Sequence, residues 1–179
     1  MDKYKIKKLR GNELFESDRF RVIRILEECR DGGSRLKDVI EHPGSVGIVP
    51  FVDDERVCLI NVFRAAVGRT LIEIPAGTLD RVESLHDAAS RELREETGYQ
   101  ADTLQSLGEL WMSPGILHEK MHLFVAKGLQ SGSQALEPNE SIEPRIVRWS
   151  EAVAMCSRGL IEDAKTVAAI FLTKSWLRS

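Results

Sequence analysis

Between Gly77 and Tyr99 the chain reads GTLDRVESLHDAASRELREETGY, and no other stretch restricts the fold as tightly. Residues 85–97 are predicted to be helical, with Ser84 as N-cap, Asp87 in the first turn and Gly98 as the C-terminal stop. Ala89 and Leu93, at i and i+4, give this helix a packing stripe. Glu92, Glu95 and Glu96 project from the neighbouring arc, and Glu83 lies just before the helix. Such crowding lowers helix stability by roughly a few tenths of a kcal/mol per i,i+4 pair. A hard, oxygen-seeking cation such as Mg2+ converts that repulsion into binding. The competing reading is a solvated acidic helix face.

A chain of 179 residues is long enough for one full hydrophobic core, or one domain with a small appendage. Hydrophobic content of 42% and charged content of 30% belong to a soluble globular protein. The net charge of −3 argues against nucleic acid as a partner, because binding that polyanion needs clustered Lys and Arg. Cys29, Cys58 and Cys156 are widely separated and form no CxxC pair, which reads as buried or incidental thiols. The basic N-terminus lacks the apolar core of a signal peptide and no run approaches a membrane span, so no membrane partner and a cytoplasmic place are expected.

Around the acidic segment the pattern is mixed. Residues 4–9, 20–27 and 37–41 have strand character, with Asp31-Gly32-Gly33-Ser34 as a turn between the last two. Residues 45–52 and 56–63, joined by Asp53-Asp54-Glu55, read as a hairpin feeding a buried sheet. Further strands are predicted over 71–75, 103–111, 120–129 and 142–149, with a long polar loop at 130–139. Ser150 is the expected cap of a short helix ending near Gly159, and Asp163 that of a final helix through Trp176. The expected division is an N-terminal β segment over 1–41 and a main domain over 42–179.

Gly77, Glu83 and the run Arg91-Glu92-Leu93-Arg94-Glu95-Glu96-Thr97-Gly98-Tyr99 resemble the box of the Nudix hydrolases, G-x5-E-x7-R-E-U-x-E-E-x-G-U, at all seven polar or glycine positions. With each residue type at roughly one in fourteen, a chance match is on the order of one in a hundred million per start. Tyr99 stands where the family usually has an aliphatic residue. The resemblance implies an α/β/α sandwich around a mixed sheet, with the box as loop-helix-loop and the strand-rich segment added at the N-terminus. It also implies hydrolysis of a nucleoside diphosphate linked to another moiety, with Mg2+ or Mn2+ activating water. By motif position Glu92 and Glu96 are the principal metal ligands, Glu83, Glu95 and the Ala76 carbonyl join them, and Arg91 holds the glutamates by charge-assisted hydrogen bonds.

Outside the box, Ser113-Pro114-Gly115, with Pro114 sixteen residues after Gly98, resembles a marker of the ADP-ribose and nucleotide-sugar pyrophosphatase branch. The same three residues would form a turn in any protein. His42-Pro43-Gly44-Ser45-Val46, Val62-Phe63-Arg64 and Glu73-Ile74-Pro75-Ala76-Gly77 also have counterparts in that branch. The likeness implies substrate contact at Arg64, whose guanidinium fork suits a diphosphate. It places Glu119 near the terminal ribose, and Glu73 and Pro114 complete the substrate-binding candidates.

In related enzymes a mobile loop supplies a glutamate as general base within E-x-E-x-I-E. Here Glu137-Pro138-Asn139-Glu140-Ser141-Ile142-Glu143 aligns Glu140 with the second glutamate and Pro138 with the first. Glu140 is therefore the candidate base, with Glu137 as substitute. Relatives also exchange N-terminal segments between subunits and use them to help stack the adenine, which implies a homodimer; Phe20 reads as such an aromatic or as a core residue, and the core is the expectation. His118-Glu119-Lys120-Met121-His122 matches a zinc motif as text but not in its strand-like context. Two functions follow: an Mg2+-dependent pyrophosphatase acting on ADP-ribose or a related nucleoside diphosphate sugar, or a catalytically impaired domain that binds such nucleotides as a sensor.

Overall fold

The computed structural model describes residues 6–17, 20–29, 32–138 and 140–178. Tyr4 and Lys5 of the first expected strand, Asp31 of the expected turn and Asn139 of the long loop lie outside these. The chain divides into two compact units, Met1–Gly44 with Trp111–Lys120, and Ser45–Leu110 with Met121–Ser179.

In the first unit, β1 (Ile6–Glu16), β2 (Arg21–Glu28) and β3 (Ser34–Glu41) form an antiparallel run, and β9 (Leu117–His118) adds to β3 in parallel. That pairing is why Trp111–Lys120 belongs with the N-terminal strands, although the chain boundary at residue 41 or 42 does not show it. Cross-strand charges pair on the open face, with the Arg24 guanidinium donating to both oxygens of Asp38. Ile23 and Ile25 are buried. Phe20 corrects the expectation of a core residue: it is 37% exposed and its ring lies tilted against that of Phe15, with centroids 5.8 Å apart.

The second unit holds the box. One mixed sheet orders β7 (Ala76–Thr78), β4 (Ser45–Pro50), β10 (Lys120–Ser131) and β8 (Tyr99–Trp111). An antiparallel sheet orders β11 (Ile142–Arg148), β5 (Arg56–Arg64) and β6 (Arg69–Glu73). The expected hairpin of β4 and β5 is therefore corrected. One bridge, Phe51 to Val57, closes the turn, and the strands then part into different sheets. β4 is wholly buried and β5 is buried over Val57–Ile60 and at Val62, and each satisfies its backbone on both edges with other partners, β4 with β7 and β10, β5 with β6 and β11.

Helix α1 spans Leu85–Thr97 as predicted; the Ser84 side chain accepts from the Asp87 N–H, and Gly98 closes it in the left-handed region at φ 78°. Ala88, Ala89 and Leu93 pack without exposure on Val46 and Ile48 of β4 and on Phe124 and Ala126 of β10, with Tyr99 against the same cluster. Fully burying one Leu contributes about 2 kcal/mol, so docking easily exceeds the charge repulsion on the helix.

Two more helices follow. Helix α2 (Trp149–Ser157) begins earlier than expected. The N-cap position is Arg148, not Ser150, because Trp149 N–H donates to Glu55 C=O at 2.7 Å and its ring packs on Phe51. Helix α3 (Ala164–Trp176) is capped by Asp163, whose side chain accepts from the Thr166 N–H. Among the described residues no helix is long and apolar enough to cross a membrane. Cys58 and Cys156 are buried and Cys29 partly so.

Candidate active site

Arg91 is the centre of the acidic cluster. Its Nη2 donates to Glu83 Oε1 at 2.7 Å, and its Nη1 donates to Glu92 Oε1 at 2.6 Å and to Glu95 Oε2 at 2.9 Å. One guanidinium thus ties together three of the four expected carboxylates, and Arg91 and Glu95 are i,i+4 neighbours on α1. Burial works against the Arg91 charge, but hydrogen bonds and charge from Glu83, Glu92 and Glu95 hold its pKa above the ordinary arginine value.

Glu96 stands apart. It is 5% exposed, and its Oε2 accepts the Ala76 N–H at 2.8 Å. Burial pushes its carboxyl up to about 8, and the negative charges of Glu92 and Glu140 push the same way against the Ala76 hydrogen bond. Glu92 is also raised, first by burial, with Glu95 and Glu140 adding to the shift and Arg91 opposing it. The backbone of Gly77 lies so close that a Cβ there would stand 1.9 Å from Glu92 Cδ. Sequence reading grouped these glutamates as one surface set; packing makes Glu96 a buried carboxyl on the strand side of the helix.

A divalent cation suits this donor set. The side chains are hard oxygen donors, and a buried carboxylate driven toward its neutral form is stabilised as an anion by a nearby positive charge. Yet among the described residues no three His, Cys, Asp or Glu side chains are gathered at metal-holding distance. The Arg91 guanidinium spaces Glu83, Glu92 and Glu95, so metal binding by all of them requires those side chains to turn.

Arg64 and Glu73, both substrate-binding candidates, are bound to each other. Arg64 Nε and Nη2 each donate to one oxygen of Glu73 at 2.8 Å, in a two-pronged pair. Glu73 is 1% exposed and also accepts from Lys165, which in turn reaches Asp163 at 2.9 Å. Burial alone would raise the Glu73 carboxyl; Arg64 and Lys165 outweigh it and hold the group below the usual carboxylate range. Thr166 completes the support: its Oγ1 accepts the Ile74 N–H at 2.8 Å and donates to Asp163. The segment from Glu73 to Gly77 is thus fastened at its start by α3 and at its end by α1. Sequence reading missed Lys165 and Thr166. The Asp163 cap was legible, but no local pattern reports a partner 92 residues away.

The loop candidates turn on each other. Glu140 N–H donates to Glu137 C=O at 3.0 Å, and Glu137 N–H donates to Glu140 Oε2 at 3.0 Å. Of the two, Glu140 is the one whose charge acts on Glu92 and Glu96. Pro114 and Glu119 lie in the first unit. Ser113-Pro114-Gly115 forms a turn, with Ile116 and Leu117 N–H groups donating to Ser113 C=O. Pro114 lines a cavity of about 520 Å3 shared with Ile23, Ile25, Val39, Trp111 and His118. Glu119 Oε1 is 4.0 Å from His42 Nδ1. His118 and His122 lie on strands, not a zinc-binding helix.

Residues 41–170 match the NUDIX domain family. The chain belongs to the Nudix family. It is 33% identical to the ADP-ribose pyrophosphatase of Bacillus subtilis (strain 168) over 145 residues, 80% of this chain and 78% of that protein. It is 32% identical to the methanol dehydrogenase activator of Bacillus methanolicus over the same length and shares. Its structure superposes on the crystal structure of an ADP compounds hydrolase with a TM-score of 0.81 at 27% identity, covering 97% of this chain and 92% of that one. The Nudix fold inferred from the box is the fold observed, with the strand-rich N-terminal segment added to it.

Proposed function

We propose that this Nudix pyrophosphatase hydrolyses the diphosphate bond of ADP-ribose or a related nucleoside diphosphate sugar, releasing a nucleoside monophosphate and a sugar phosphate. The observation that carries the reading is Glu96: a buried carboxyl one turn from Glu92 on a capped helix, bound by the Ala76 N–H while the Gly77 backbone presses on Glu92. Glu92 and Glu96 would hold Mg2+ or Mn2+, with Glu83, Glu95 and the Ala76 carbonyl completing its shell. The ion, when bound, neutralises phosphate oxygens and lowers the pKa of bound water. Arg91 keeps the glutamates oriented. Glu73, fixed by Lys165, aims Arg64, whose Nη1 stays outside the Glu73 pair and can meet a phosphate. Glu140, or Glu137 in its place, takes the proton of the attacking water. Pro114 and Glu119 contribute to the sugar side. The adenosine diphosphate class is supported by the names of the relatives.

A homodimer is part of the proposal. The first unit leaves Leu14, Phe15, Leu36, Trp111 and Ile116 each about half exposed, apolar surface that a second copy of the chain would cover. Light scattering should give twice the mass of one chain, and a mass near one chain refutes it. A cytoplasmic place fits the same reading.

The deciding assay is phosphate-ester release with Mg2+ from ADP-ribose, ADP-glucose, GDP-mannose and diadenosine polyphosphates. Glu96→Gln should abolish turnover. Binding without turnover of any member would replace hydrolysis by a nucleotide-sensing role.

A further inference from the structure

Between β10 and β11 the described residues 132–138, 140 and 141 form no helix or strand, yet the first part of this loop is fastened. The last carbonyls of a helix have no partner within it. Here the loop takes two of them. Ala135 N–H donates to Glu95 C=O at 3.0 Å, and Gln134 Nε2 donates to Glu96 C=O at 2.5 Å. The same nitrogen lies 3.3 Å from the carbonyl oxygen of Ile142, the first residue of β11. Both partners are acceptors only, so the amide must present its NH2 group to them.

Neighbouring contacts hold the same stem. Leu136 packs on Ile60, Val62 and Ile142. Gly98 lets Gly132 approach so closely that a Cβ would meet the Gly132 oxygen at 2.6 Å. After Leu136 the chain turns between Glu137 and Glu140, which hydrogen-bond to each other. A fixed stem thus carries a tip that bears carboxylates.

We infer that Gln134 is a positioning residue for the proposed hydrolysis: its amide clamps the two ends of the loop together and to α1, and so sets Glu140 against the helix of Glu92 and Glu96. The inference rests on Glu140 acting in that reaction. Gln134 touches no reacting atom. A misplacement of about 1 Å costs on the order of a hundredfold in rate, so loss of the clamp should lower kcat by roughly 10- to 100-fold. KM should change little, because Arg64 and the first-unit residues lie outside this loop.

The test uses the full chain with Mg2+ and ADP-ribose, or whichever member of the substrate panel turns over fastest. Gln134→Ala should lower kcat as stated. Gln134→Glu keeps the size and shape but loses the donor, and should be at least as damaging. In a Glu140→Gln background the further change Gln134→Ala should cost less than about twofold, since the group it positions is gone. In metal-free protein, amide hydrogen exchange at Ala135 should quicken in Gln134→Ala. A kcat within about twofold of the parent in both single variants, whether or not Tm falls, overturns the inference, because a stability role alone would not move kcat. So does a Gln134→Ala penalty that persists undiminished in the Glu140→Gln background. Overturning by those results leaves the hydrolase reading intact; a parent chain that hydrolyses nothing in the panel overturns both.

Discussion

Replacing Gly77 by Ala should separate site geometry from stability. Gly77 is not among the residues with positive φ, so its backbone conformation is open to alanine. The new Cβ, however, would stand 1.9 Å from Glu92 Cδ and 2.0 Å from Oε1. Ordinary contact begins near 3.4 Å, so the carboxylate must retreat by about 1.5 Å. It is the far end of a flexible side chain, and turning it away requires only its hydrogen bond from Arg91 Nη1 to break. Such a bond to a charged group contributes roughly 1.5–3 kcal/mol, of which solvation recovers part, and the expected loss of stability is about 1 kcal/mol. The rate should suffer far more: a displacement of that size at a metal ligand is expected to lower kcat at least about a hundredfold and to raise the Mg2+ concentration needed for half-maximal activity. Urea unfolding gives the first quantity, and Mg2+ titrations of turnover give the others. Turnover within about threefold of the parent at equal Mg2+ would refute the assignment of Glu92 as a ligand held by the Gly77 backbone.

The elevated Glu96 pKa predicts a pH dependence in metal-free protein. A carboxyl whose folded pKa exceeds its unfolded value binds more protons when folded, so the stability that Glu96 contributes is greatest below about 4.5 and falls as pH rises towards 8. The loss should reach a few kcal/mol, at about 1.36 kcal/mol per pH unit; Glu96→Gln should flatten the Glu96 part of the profile, and a Glu96 contribution of opposite slope would sink the account. Glu73→Gln should destabilise the fold by about 3 kcal/mol in urea unfolding, because Lys165 and Arg64 lose their shared buried anion. It should also raise KM as Arg64 loses its orientation, and a neutral effect on both would show that the network is dispensable.

What the sequence determined by itself is local. The helix over 85–97, its Ser84 cap and its Gly98 stop depend on side chains within a few residues of one another, and all three stand where their types require. The box is legible for the same reason: Arg91 meets Glu95 because residues four apart on a helix are neighbours. The longer strands were readable from apolar runs, but the short β7 and β9 were not, and neither was strand partnership. Residues 45–52 and 56–63 carry every local sign of a hairpin, and only competition from β6, β7, β10 and β11 for their edges parts them. Tertiary packing alone decided that Glu96 is buried while Glu95 is not, that Glu73 is gripped by a lysine 92 residues away, and that Gln134 bridges α1 to β11. The physical reason is common to all three. Burial and hydrogen-bond closure depend on which distant surfaces meet, and no periodicity along the chain encodes that meeting.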